Sequence, residues 1–202
     1  MMWLRALAAC VLMLAGCATA PAARAPALLI LVSIDGFRTD YIDCGVTPTL
    51  SALAADGVHA TAMRPDRHGI VNNTMEDPAF PGALFRLSDR VESLNPHWWN
   101  GATPIWVSAE QHGVRTATMF WPGSEVEIHG VRPHEFAPFD QSISSDARVD
   151  RLLSWLDAPQ AERPGFMTLY FDIVETEGHR FGPDSRELNA ALRDVDAALA
   201  RL

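Results

Sequence analysis

The sequence contains no lysine: all 16 basic residues are arginine, against 25 acidic ones, and the formal net charge is −9. An acidic chain of this kind offers no basic stripe, which excludes a groove for nucleic-acid polymers. The absence needs no functional cause, because a GC-rich genome favours Arg codons over Lys codons. Cysteine is scarce as well, at positions 10, 17 and 44 alone. The apolar run near the start, Ala6–Gly16, falls short of the roughly 20 residues that a membrane-spanning helix needs. Charged residues make up only 20% and hydrophobic ones 48%, which excludes a disordered chain. The 202 residues suit one compact domain, which hides roughly 70% of its unfolded surface.

Residues 1–16 open with Arg5 and continue into the apolar run, the pattern of a secretory signal. The run ends in Leu14-Ala15-Gly16-Cys17, which resembles the lipobox of bacterial lipoproteins. That resemblance implies cleavage before Cys17 and acylation of it. Lipid anchoring follows, at about 0.8 kcal/mol per buried CH₂. The alternative is an ordinary signal cleaved in the Ala-rich stretch that follows. Residues 17–26 are rich in Ala and Pro and read as a tether. The expected location is the cell envelope, anchored to the periplasmic side of a bacterial outer membrane. With Cys10 in the signal and Cys17 acylated, Cys44 stands alone and an internal disulfide is excluded.

Residues 27–202 then read as a single α/β unit. Ala27–Ile34 is a continuous apolar run, the pattern of a parallel strand buried on both faces. Thr47-Pro48 opens a helix by cap and proline, and Gly57 closes it. A short strand is expected at Val58–Met63 and another at Arg115–Phe120. Between them a helix runs from Thr103-Pro104 to about His112. Ser145–Leu156 carries Val149, Leu152, Leu153 and Leu156 on one helical face. Phe166–Val174 reads as a further buried strand. Ser185 caps a last helix whose stripe is Leu188, Leu192, Val195, Leu199 and Leu202. The alternation implies a mainly parallel sheet flanked by helices. The stripe reaches Leu202 without a stop signal, so the expected fold is incomplete at its C-terminus.

Parallel α/β sheets bind ligands beyond the carboxyl ends of their strands. Asp35 follows the first strand directly. Glu175 and His179 follow the Phe166–Val174 strand, one helical turn apart if that turn is helical. A carboxylate and an imidazole suit zinc. Alone, each of these also fits a turn residue or a surface pair.

The surrounding words carry more. Ser33-Ile34-Asp35-Gly36-Phe37-Arg38 leads to Tyr41, and Thr47-Pro48-Thr49-Leu50 leads to Leu53-Ala54-Ala55-Asp56-Gly57-Val58. Then come Arg64-Pro65-Asp66-Arg67-His68-Gly69-Ile70-Val71-Asn72-Asn73 and Met119-Phe120-Trp121-Pro122-Gly123-Ser124-Glu125. Tyr170-Phe171-Asp172-Ile173-Val174-Glu175 and Gly178-His179-Arg180-Phe181-Gly182-Pro183 complete the series. In this order the motifs resemble the nucleotide pyrophosphatase/phosphodiesterase family of the alkaline phosphatase superfamily. The resemblance implies an alkaline-phosphatase-like core and hydrolysis of nucleotide phosphodiester or pyrophosphate bonds to a nucleoside monophosphate. It also implies two zinc ions and a Thr nucleophile. Two cations about 4 Å apart clamp the attacking and leaving oxygens of such a displacement. By this resemblance Asp35 matches a ligand of the zinc beside the nucleophile, and His179 a ligand of the other zinc. Glu175 stands where the family has Asp. Asn73 matches the phosphate-binding Asn, and Tyr170 an aromatic wall of the nucleotide pocket.

Three departures follow from the same comparison. The family's Thr-Phe-Pro-Asn-His segment is absent: Met63-Arg64-Pro65 runs straight into Asp66-Arg67-His68. Thr61 and Thr74 flank this gap and match neither motif nor register. The family's Ser-Asp-His-Gly-like motif and its last His are also missing. His68 belongs to a His-Gly turn, while His97, His112, His129 and His134 read as surface or core residues. Finally, the extra methylene of Glu175 moves a carboxylate by roughly 1.5 Å, against about 0.5 Å of tolerance in a metal constellation. Neither zinc then reaches the three protein ligands usual for catalysis. The expectation is a chain without a catalytic residue, with partial zinc binding at most. It is a lipid-anchored pseudoenzyme, a nucleotide-binding lipoprotein, or a gene fragment of a larger hydrolase.

Overall fold

The computed structural model describes residues 27–56 and 68–202. Cys17, the leader, the tether, Gly57, Thr61 and the expected strand Val58–Met63 lie outside the described residues. Four parallel strands form the central sheet in the order β1-β6-β4-β5. They are β1 (Leu29–Ile34), β4 (Thr116–Met119), β5 (Glu135–Ala137) and β6 (Phe166–Phe171). A small antiparallel hairpin pairs β2 (Thr74–Met75) with β3 (Phe85–Arg86). Among the described residues five α-helices accompany them: α1 (Pro48–Asp56), α2 (Ile105–Gln111), α3 (Ser145–Leu156), α4 (Ile173–Phe181) and α5 (Arg186–Leu199). Among the described residues no helix is long and apolar enough to cross a membrane.

The strand period of two divides β6 between two cores. Met167, Leu169 and Phe171 face α3 and α5, meeting Val149, Leu152, Leu188, Leu192 and Val195. Phe166 faces the other way, into a cluster of Trp106, Val107, Val126 and Ile128 around α2. The hairpin packs separately through Met75, Phe85 and Trp98. The expected faces of α3 and α5 are therefore the buried ones. Ser144 accepts from Ala147 N at 3.3 Å and Ser185 from Leu188 N at 3.1 Å, so both helices carry N-caps.

Several expectations need correction. β1 is not buried on both faces: among the described residues it lies at the sheet edge, and Leu29 and Leu31 are 55% and 37% exposed. The apolar run reports strand propensity, while the layer that covers a strand is a tertiary matter. The strand expected at Phe166–Val174 stops at Phe171, and Ile173 and Val174 begin α4. Leu202 lies past the end of α5 and is 45% exposed. Thr47 does not cap α1. Its hydroxyl is buried and donates to Tyr41 O at 2.7 Å.

The cap of α1 comes instead from α5. Asp196, buried in that helix, accepts from Leu50 N at 2.8 Å and Thr49 N at 3.2 Å. Helix starts leave backbone N–H groups without partners, so this carboxylate joins two elements far apart in the chain. Replacement Asp196→Ala should cost about 2 kcal/mol in urea unfolding, and Asp196→Asn about half of that, since an amide oxygen still accepts.

Candidate functional site

The parallel ladder between β1 and β6 runs from Leu29↔Phe166 to Ile34↔Phe171. It brings the carboxyl ends of both strands level. Asp35 extends the ladder by one bond, its N–H donating to Phe171 O at 2.9 Å. Tyr170, one residue before the end of β6, donates its hydroxyl to Asp35 Oδ2 at 2.8 Å. The other carboxylate oxygen of Asp35 accepts from Gly36 N at 3.0 Å. Helix α4 begins two residues after β6, and its first turn holds Glu175. Glu175 Oε1 meets His179 Nε2 at 3.0 Å, one turn further along the helix.

Gly36 is what allows these two segments to touch. It sits at φ +68, and a Cβ there would lie 2.8 Å from Glu175 Cα. Only glycine tolerates both the left-handed backbone and that approach. The Asp-Gly pair after β1 is thus a seat for the start of α4.

The electrostatics follow from the crowding of two carboxylates. The Asp35 carboxylate within hydrogen-bonding reach raises the pKa of Glu175; partial burial adds to this, and His179 opposes it. Burial pushes the Tyr170 phenol well above its ordinary range. Its hydrogen bond to Asp35, which holds the proton on the phenol, adds to the rise. Tyr170 therefore acts as a hydrogen-bond donor toward Asp35 rather than as a proton source.

Of the residues expected from sequence, Asp35, Tyr170, Glu175 and His179 come together. Two carboxylates and an imidazole suit zinc in kind. They do not close into a metal cage: among the described residues no group of three or more His, Cys, Asp or Glu is placed to hold a metal ion. Asn73 is exposed at the hairpin, where its carbonyl accepts from Leu87 N at 2.8 Å. It takes no part in the hydrogen bonds that join the other four. His68 has the turn role expected of it, its Nδ1 accepting from Ile70 N at 3.2 Å beside Gly69.

Next to this cluster lies a cavity of about 310 Å³. Trp99, Phe120, Trp121, Phe139 and Tyr170 line it, with Glu125 at the wall. The Phe139 ring meets Phe120 edge-on at 5.5 Å and Tyr170 at 6.0 Å. Phe120 itself holds φ +60 while buried, a local strain placed at the cavity wall. Trp99 lies flat on Gly123, where a Cβ would come within 2.5 Å of the indole, and its Nε1 donates to Ser93 O at 2.8 Å. Arg90 pairs with Glu125 through two hydrogen bonds, one at 2.8 Å. Trp98 is buried in the hairpin core, while its neighbour Trp99 packs beside that core and also faces the cavity. Phe139 belongs to none of the motifs quoted above. The available signal was position, since Trp121 and Phe139 both follow sheet strands at the same carboxyl edge as Asp35.

The sequence profile of the type I phosphodiesterase / nucleotide pyrophosphatase family matches residues 29–66 and 60–202. An uncharacterized pyrophosphatase/phosphodiesterase of Schizosaccharomyces pombe is 39% identical over 193 residues, covering 86% of this chain and 40% of the relative. Human ectonucleotide pyrophosphatase/phosphodiesterase family member 1 is 37% identical over 194 residues, covering 86% of this chain and 21% of that protein. Murine ectonucleotide pyrophosphatase/phosphodiesterase 5 superposes with a TM-score of 0.75 at 30% identity, covering 86% of this chain and 51% of that structure. An inactive variant of the murine protein in complex with AMP gives the same TM-score at 29% identity. The chain thus spans about half or less of the length of these relatives.

The seat at Gly36 has a direct check. Gly36→Ala should lower stability by about 3 kcal/mol, combining left-handed strain with a backbone clash. Thermal unfolding measures this, and a loss below about 1 kcal/mol would show that α4 is free to move off the turn.

Proposed function

The chain belongs to the type I phosphodiesterase / nucleotide pyrophosphatase family of hydrolases, and from this membership we propose that it keeps the nucleotide-holding part of such a site without the means of turnover. The observation that carries this reading is the pairing of an aromatic cavity with the Asp35–Tyr170–Glu175–His179 cluster at one sheet edge. A cavity of this size, walled by aromatic rings with a few polar groups, suits a nucleobase. In the family, bound zinc supplies the positive field that a phosphate ester needs.

Two features speak against turnover. The Thr-Phe-Pro-Asn-His segment has no counterpart between Met63 and Asp66. The family profile matches in two pieces that overlap at residues 60–66, at that same place. The donor set is the second feature: among the described residues, Asp35 and the Glu175–His179 pair form no group that could hold a metal ion. The chain is read as a pseudoenzyme that binds a nucleotide or related phosphodiester, with zinc held weakly and partially. A bacterial lipoprotein signal ending at Cys17 would hold it at the cell envelope.

Purified full-length chain should give no zinc-dependent release of nitrophenol from a p-nitrophenyl phosphodiester of a nucleotide. Hydrolysis that requires zinc and disappears in Asp35→Ala would overturn this reading in favour of an active hydrolase. For the anchor, growth with labelled palmitate should mark the wild-type chain and leave Cys17→Ser unmarked. Equal labelling of the two would remove Cys17 as the acylated residue.

A further inference from the structure

Arg148 is a charged side chain with only 4% of its surface exposed. It touches neither Asp35 nor Glu175 in the hydrogen bonds that build the cluster. Its Nε donates to Ile143 O at 2.9 Å, in the loop before α3. Its Nη1 donates to Tyr170 O at 3.1 Å and to Asp172 Oδ1 at 2.6 Å. Asp172 is itself buried and is the N-cap position of α4. The guanidinium also lies over the Phe120 ring, 5.0 Å from its centroid.

Stability alone is a poor reason for such a pair. Desolvating two charges offsets much of their attraction, and packed apolar side chains often serve as well. A guanidinium fork offers direction instead, because its donors are planar and rigid. Here the directions are the end of β6, the start of α4 and the Phe120 ring. Each of these supports the aromatic cavity or carries the residues beside it. Tyr170 supplies a wall, Phe120 braces Phe139, and α4 bears Glu175 and His179.

A second cavity shows why a brace is needed. A cleft of about 640 Å³ opens among α3, α4 and α5, and Arg148 and Asp172 line it. The aromatic cavity lies on the other side, against Phe120 and Tyr170. At this point Arg148 reaches from α3 to both the strand end and the start of α4. The ion pair is the partition between two open volumes.

We propose that the Arg148–Asp172 pair is the positioning element of the aromatic cavity, holding the Tyr170 strand end and the first turn of α4 against collapse into the cleft behind them. For its ligand this rests on the nucleotide reading above. For its structural content it does not.

The chain has only two tyrosines, so ¹³C-labelled Tyr in the full-length protein gives two ring signals, assigned with Tyr41→Phe. Two variants separate positioning from stability. Arg148→Lys keeps the charge and loses the fork. Arg148→Met with Asp172→Leu removes both charges and keeps apolar bulk. Both should fold, with thermal midpoints within about 5 °C of wild type. In both, the Tyr170 signal should shift and broaden, and AMP affinity with zinc present should fall by about tenfold. An unchanged Tyr170 signal in either folded variant overturns the proposal. If the double variant does not fold, the lysine variant decides alone. If the wild type binds no AMP, the nucleotide reading fails, and the Tyr170 signal still decides the positioning role.

Discussion

The six-residue parallel ladder between β1 and β6 is the constraint on which the site depends. Its register sets Ile34 beside Phe171, and one further hydrogen bond continues it to Asp35. A strand cannot slip by one residue without exchanging its two faces, so Tyr170 and Asp35 are locked to each other by the backbone. The hydrogen bond between them is a consequence of that register. The glycine after Asp35 then lets α4 close on the turn, which brings Glu175 within reach.

The charges around this edge are largely committed to holding it. Arg148 is used inside the fold on Asp172, and Arg90 is used on Glu125 at the cavity wall. The chain has no lysine to add to them. Two facing carboxylates make the edge more negative still, and the raised pKa of Glu175 reflects this. Among the described residues the donors at this edge suit a metal ion in kind but do not converge on one. Aromatic surface is the other asset, and it is neutral.

Some of this could be read from residues alone. The span of α3 was legible to the residue, because a serine cap and an apolar stripe agree there. The stripe of α5 through Leu199 was equally plain. Asp35, Tyr170, Glu175 and His179 were legible because they sit in long motifs, and local spacing alone would not have sufficed. Other features were not. Ile173 and Val174 favour a strand by propensity, yet β6 ends before them where Asp172 turns inward to Arg148. Thr47 looks like a cap, but Asp196 does that work from a distant helix. Trp99 looks like its neighbour Trp98, and only one of the two faces the cavity.

Read alone, the residues establish the α/β class, the helix faces, the family, and the absence of a Thr-Phe-Pro-Asn-His segment. Those depend on period, composition and words of adjacent residues, which are local properties. Which face of β1 is covered, which tryptophan lines the cavity, and what braces Tyr170 were decided only by the tertiary structure. Each depends on groups far apart in the chain, Arg148 and Tyr170 or Asp196 and Leu50, whose pairing is set by how layers stack. Spacing along the chain carries no information about that stacking until the core has formed.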